Sequence, residues 1–181
     1  MAKIGLFYGS NTGFTEQVAD HIKELLDNIE PGLAELFNIS QATPQTIAQW
    51  DCLIFGIPTV NIGQLQDDWD VFWPHLDEID FAGKKVAIFG LGDQYNYSTT
   101  FLDAAGILAN KIKERGGELV GMWPTSGYQF ETSLALDGDH FMCLALDEES
   151  ESNLTQTRLE TWIPQVLAAF GIIAPEVAHV G

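Results

Sequence analysis

Three short runs constrain the fold most: KIGLFY at residues 3–8, CLIFGI at 52–57 and KVAIF at 85–89. Each is apolar with almost no alternation. A strand with one wet face alternates apolar and polar residues; a strand covered on both faces does not. Between and after these runs the period changes. Val18, Ile22, Leu25, Leu26 and Ile29 recur at helical spacing, with Gln17, Asp20, Lys23 and Asp27 on the other side. Pro31-Gly32 closes that helix. Leu102–Arg115 repeats the pattern with Ala105, Leu108, Ala109 and Ile112 inward, and Gly116-Gly117 ends it. Leu159, Trp162, Ile163, Val166, Leu167 and Phe170 define a last helix, with Pro164 inside it as a candidate kink.

Weaker segments fill the order. Leu33–Ile39, Glu118–Met122 and Phe141–Leu146 read as strands, Pro44–Gln49 as a brief helical turn, and Gln66–Leu76 as helix with Trp69, Phe72 and Trp73 on one side. Strands alternating with helices predict right-handed crossovers and an α/β fold of three layers: a doubly wound, five-stranded parallel sheet between helices. Residues 124–140 are too many for an ordinary strand-to-helix connection. They are predicted to be an insertion that interrupts the fifth strand, with the chain after Ile173 frayed.

Charge narrows the function. The chain has 26 acidic and 8 basic residues, a net charge of −18. No basic residue falls between Lys23 and Lys84, while Asp67, Asp68, Asp70, Asp77, Glu78 and Asp80 do. Nucleic-acid binding is disfavoured, since neutralising phosphates takes basic patches. The acidic surface reads either as a solvated face or as steering toward a basic protein partner. No apolar run reaches membrane-spanning length, so no insertion into a membrane is expected. Cys52 and Cys143 sit in strand-like runs and read as free thiols in a reducing cytoplasm. His21, His75, His140 and His179 are scattered, and no metal site or catalytic triad is visible.

In a doubly wound sheet, ligands bind where the strands end. Gly9–Thr15 follows the first strand and lacks both the Walker ending and GxGxxG. A turn entering a helix still offers free N–H groups and a positive dipole end. With the hydroxyls of Ser10, Thr12 and Thr15, it suits a phosphate without any cationic side chain. Two further loops, PTVNIGQL at 58–65 and GLGDQYNY at 90–97, follow buried strands. Tyr95 and Tyr97 can offer an aromatic wall to a planar ligand.

GSNTGFTE, PTVNIGQL, GLGDQ with Tyr97, and GYQF…LALDEE, in this order over residues 2–172, resemble flavodoxins of the long-chain kind, whose fifth strand is interrupted. The resemblance implies one unit over residues 1–173, with 174–181 a C-terminal tail. It implies non-covalently bound FMN and a low-potential one-electron carrier, not an enzyme. Ser10, Asn11, Thr12, Gly13, Phe14 and Thr15 would hold the phosphate. Pro58, Thr59, Val60, Asn61, Ile62 and Gly63 would flank the isoalloxazine, as would Gly92, Asp93 and Tyr97, with Asp147 toward the ribityl chain. Val60 stands where close relatives carry a stacking Trp, Phe14 where a basic or polar residue is common, and Leu91 where a hydroxyl is common. The implied partners are redox proteins with basic docking surfaces: a reductase such as ferredoxin–NADP reductase, and photosystem I or a nitrogenase-type acceptor. A monomer in the cytoplasm is expected. The competing readings are an FMN-dependent NAD(P)H:quinone reductase and a receiver-like signalling module. The second needs an acidic pair after the first strand, where Gly9-Ser10-Asn11 stands.

Overall fold

The computed structural model describes residues 2–172; the frayed tail and His179 of the sequence reading lie outside them. The elements run in the order β1 (Ile4–Tyr8), α1 (Phe14–Ile29), β2 (Ala34–Asn38), α2 (Pro44–Ala48), β3 (Cys52–Val60), β4 (Gln64–Leu65), α3 (Asp67–Phe72), β5 (Lys85–Leu91) and α4 (Asp103–Glu114). Then follow β6 (Glu118–Val120), β7 (Trp123–Pro124), β8 (Leu136–Asp137), β9 (His140–Phe141), β10 (Leu144–Leu146) and α5 (Thr155–Phe170).

The central sheet is parallel, ordered β2-β1-β3-β5 and completed by β6 and β10 on the far side of β5. Its strands carry apolar residues on both faces because both faces are covered. Phe7, Leu53, Phe55, Ile57, Val86 and Ile88 pack toward α3 and α4. Leu6, Ile54, Ala87 and Phe89 pack toward α1 and α5. A Cβ on Gly56 would run into the ring of Phe89, so that position is a close approach between strands.

The fifth strand is split as expected, and its geometry shows how. Glu118–Val120 pairs with Lys85–Ala87, and Leu144–Leu146 pairs with Phe89–Leu91. The two pieces share one neighbour at its two ends. Between them β7, β9 and β8 form a small antiparallel sheet. Here the sequence reading is corrected: the strand resumes at Leu144 and not at Phe141. Phe141 opposes both Trp123 and Leu136. Residues 141–146 are buried throughout, so hydropathy does not mark the change of sheet.

Two more boundaries move. β3 continues through Pro58, Thr59 and Val60, because Val60 and Thr59 gain antiparallel partners in Gln64 and Leu65. The stretch read as a loop is therefore a hairpin with its tip at Asn61, Ile62 and Gly63. α5 runs unbroken through Pro164. Pro164 faces solvent, where water can bond the carbonyl its missing N–H leaves open.

Candidate functional site

The turn after β1 is built for an anion. Gly13 sits at φ +91°, and its carbonyl accepts the first helical bond, from the Gln17 N–H at 3.0 Å. Ser10 Oγ accepts the Gly13 N–H at 3.0 Å, which closes the turn. The N–H groups of Asn11, Thr12, Phe14 and Thr15 have no acceptor among the described residues. They lie at the positive end of a 16-residue helix. No atom lies within 4 Å of where a Cβ on Gly13 would be, so the space over the cap is open.

Gln66 holds this turn from behind, and nothing in the sequence singled it out. It is fully buried. Its Nε2 donates to Asn11 Oδ1 at 2.9 Å and to Asp68 Oδ2 at 2.9 Å, and its Oε1 accepts the Trp69 N–H at 3.2 Å. A Cβ on Gly9 would collide with that amide. Gly9 is thus required by the close passage of Gln66.

The hairpin tip forms the next wall. Asn61 sits at φ 49° and Gly63 at φ 71°, with Asn61 Nδ2 donating to Gln64 Oε1 at 2.9 Å. Thr59 Oγ1 accepts the Ala104 N–H at 3.1 Å, which ties the hairpin base to the start of α4. Ile62 projects from the tip, 77% exposed. The loop after β5 forms the opposite wall. Asp93 Oδ1 accepts the N–H groups of Tyr95 and Asn96, and Oδ2 accepts Asn96 Nδ2 at 2.8 Å. Burial pushes this carboxyl up, but the bonds from Asn96 and Tyr95 outweigh it and hold it below the usual aspartate range. Tyr97 stands 47% exposed beyond this turn.

These loops enclose a cleft of about 380 Å³. Asn11, Thr12, Phe14 and Thr15 line one end; Pro58, Thr59, Val60 and Asn61 line one side; Gly92, Asp93 and Tyr97 line the other. Ser10, Gly13, Ile62 and Gly63 do not line it: they shape the turn and the tip. Leu91, Thr100, Phe101, Glu148 and Glu149 also line it. The two glutamates lay in the quoted LALDEE and could have been read from there; Thr100 and Phe101 carried no signal. The Thr100 hydroxyl is buried without a partner among the described residues, so it adds an uncommitted side-chain group to the unpaired N–H groups of the turn. No Lys, Arg or His lines it among the described residues.

Asp147, expected toward the ribityl chain, stands behind the cleft wall. It does not line the cleft. It is fully buried. Oδ1 accepts the N–H groups of Glu149 and Ser150; Oδ2 accepts the Gln94 N–H, Gln94 Nε2 and the Ser150 hydroxyl. Its oxygens are committed to the protein, and a spacing along the chain does not reveal that.

A turn with unpaired N–H groups at a helix start, joined to a slot with one aromatic and one aliphatic wall at the carboxyl edge of a parallel sheet, suits a phosphorylated planar ligand on an α/β fold. The comparisons with known proteins sharpen the class. The flavodoxin family model matches residues 6–162. A flavodoxin of Synechocystis sp. is 48% identical over 166 residues, covering 92% of this chain and 96% of that protein. A flavodoxin of Nostoc sp. is 47% identical over 170 residues, covering 94% and 98%. The Fusobacterium nucleatum flavodoxin bound to flavin mononucleotide superposes with a TM-score of 0.87 at 32% identity, covering 93% of this chain and 99% of that one. The chain belongs to the flavodoxin family, and its interrupted fifth strand places it with the long-chain members.

Proposed function

We infer that this chain is a one-electron carrier that binds FMN non-covalently and passes electrons between redox proteins. The observation that carries the reading is the single cleft, which joins an anion-holding turn to a slot between Val60 and Tyr97. The residues suit FMN. The open space over Gly13 and the unspent N–H groups around it suit a phosphate, and the apolar walls suit a tricyclic ring. When bound, FMN supplies reversible electron chemistry at its isoalloxazine ring.

The protein's share is placement and electrostatics. The N–H groups of Asn11, Thr12, Phe14 and Thr15, with the hydroxyls of Thr12 and Thr15, would hold the phosphate; Ser10 and Gly13 set the turn. Val60 and Tyr97, on opposite sides of the cleft, would shield a bound ring from water. The Asn61–Ile62 peptide offers a carbonyl and an N–H at the hairpin tip to the ring's edge. Gly92 and Asp93 contribute main-chain groups on the other side. The carboxylates of Asp93, Glu148 and Glu149 disfavour extra negative charge in the cleft, which makes the fully reduced cofactor a strong donor.

Partners dock through basic surfaces against the acidic rim; ferredoxin–NADP reductase, photosystem I and a nitrogenase-type acceptor all fit that description. Residues 1–173 act as one unit, monomeric and cytoplasmic. No helix among the described residues is long and apolar enough to cross a membrane. The test is FMN titration of the apoprotein followed by anaerobic potentiometry. Stoichiometric binding with two separate one-electron potentials is expected. A single two-electron step, together with direct turnover of NAD(P)H and a quinone, would overturn the reading.

A further inference from the structure

Gln94 lies in the loop that carries Asp93 and Tyr97, yet it turns away from the cleft and is fully buried. Its main-chain N–H and its Nε2 both donate to Asp147 Oδ2, at 3.2 and 2.8 Å. Its Oε1 accepts the Gln129 N–H at 2.7 Å. Asp147 in turn gathers the N–H groups of Glu149 and Ser150. One side chain therefore joins three segments: the outer wall of the cleft, the turn that carries Glu148 and Glu149, and the insertion between the halves of the fifth strand.

The insertion grips the same wall further along. Ser98 O accepts from the Glu131 and Thr132 N–H groups at 2.9 and 3.1 Å, and Thr99 O accepts from Thr132 Oγ1 at 2.5 Å. Asp103 Oδ1 accepts the Leu134 N–H at 2.8 Å. Gly106 leaves room for this approach, since a Cβ there would collide with the Leu134 backbone. The segment from Asp93 to Asp103 is thus held from outside along its length, at residues that do not touch the ligand space.

We propose that Gln94 is a positioning residue for the cofactor: it couples the insertion and the Asp147 turn to the wall that carries Tyr97, and so governs how tightly the cleft retains FMN. This rests on the FMN reading above. A buried amide with every polar atom committed fixes one loop conformation, because any other leaves donors or acceptors unpaired in the interior. Without it, part of the binding free energy goes into ordering the loop.

The test is Gln94→Leu, which keeps the volume and removes the side-chain bonds. Lys84→Met serves as control. Lys84 Nζ donates to Ala48 O and Trp50 O, at 2.7 and 2.8 Å, at the opposite edge of the sheet. Gln94→Leu should raise the Kd for FMN about tenfold. It should also speed amide exchange across residues 93–97 in the apoprotein. Lys84→Met should lose stability but keep its Kd for FMN within about twofold of wild type. The proposal is overturned if Gln94→Leu keeps wild-type affinity and exchange, or if Lys84→Met weakens FMN equally. If Gln94→Leu does not fold, Gln129→Pro removes the N–H that Gln94 Oε1 accepts, at the cost of an exposed side chain and a fixed φ, and is read by the same two measurements; unchanged values there overturn it as well. Failure of the FMN reading looks different: the wild-type apoprotein takes up no FMN, while the exchange comparison still decides whether Gln94 orders the loop.

Discussion

Val60 and Ile62 sit two residues apart on the hairpin and bear on different properties of the carrier. Val60 lines the cleft with an aliphatic surface. Aromatic stacking is worth about 0.5–1.5 kcal/mol beyond area burial. Val60→Trp should therefore tighten FMN binding, by roughly two- to thirteenfold. Fluorescence titration of the apoprotein reads this directly, and unchanged affinity would mean that the slot does not stack its ligand on this side. Ile62 concerns the potential. Asn61 already occupies positive φ, at 49°, but Ile62 does not. If reduction of the cofactor favours the Asn61–Ile62 peptide turned over, with its carbonyl toward the ring, a β-branched residue must enter that region, at about 1 kcal/mol or more. Ile62→Gly removes that cost and should raise the first one-electron potential by ~40 mV. If potentiometry finds no change, the peptide does not turn over on reduction.

Among the elements, the start of α4 holds the least ordinary group. Leu102 caps it at φ 60°, outside the range a leucine prefers, and Asp103 follows, buried beside Gly63. Burial pushes the Asp103 carboxyl up, against the opposing bond from the Leu134 N–H. An acid raised in the folded state binds its proton more tightly folded than unfolded. Its contribution to stability thus grows as pH falls from above the raised value toward the ordinary aspartate range, and it is destabilising when ionised at neutral pH. Asp103→Asn should therefore be more stable than wild type at about pH 8, and the gap should narrow by about pH 5. Urea unfolding at the two pH values checks this; a constant gap would mean that ionisation of Asp103 costs nothing. The other carboxylates with resolved shifts, Asp27, Asp77, Asp93 and Asp139, are lowered and act in the opposite sense, so the comparison must be made between the two proteins at each pH.

For the whole molecule, the net charge of −18 has two consequences of different range. Close to the cleft, Glu148 is half-buried and Glu149 exposed, and on the proposed function their charges would oppose the second electron at short range. Replacing both with Gln should raise the second potential, on the order of tens of millivolts per charge. Potentiometry of the double variant decides it, and an unmoved potential would remove these carboxylates from the account. Over longer distances the acidic surface acts through solvent and is screened within about 8 Å at physiological ionic strength. Association with a basic partner should accordingly be fast at low salt and slow steeply as salt rises. Stopped-flow mixing across a salt series measures that slope, and a flat response would rule out steering.

How much of this was legible in the chain follows from what each signal reports. The apolar runs at 4–8, 52–57 and 85–89, the helical periods and the turn at 9–15 determined the layers, the parallel sheet and which turn borders one end of the cleft, but not the order of the strands. Periodicity records burial, and burial on both faces is a local property. The sequence by itself also determined the charge, and with it that a partner drawn by long-range attraction would have to be basic. Tertiary structure alone decided who bonds to whom. Phe141 and Leu144 are equally buried, yet one joins the small antiparallel sheet and the other the parallel one. Asp147, expected toward the ribityl chain, has its oxygens bonded to Gln94 and Ser150. Gln66 and Gln94, distant in sequence from their partners Asn11 and Gln129, became the supports of the two ends of the site. A hydrogen bond is satisfied by any donor that reaches its acceptor, so its choice rests on the folded geometry and not on the residues nearby in the chain.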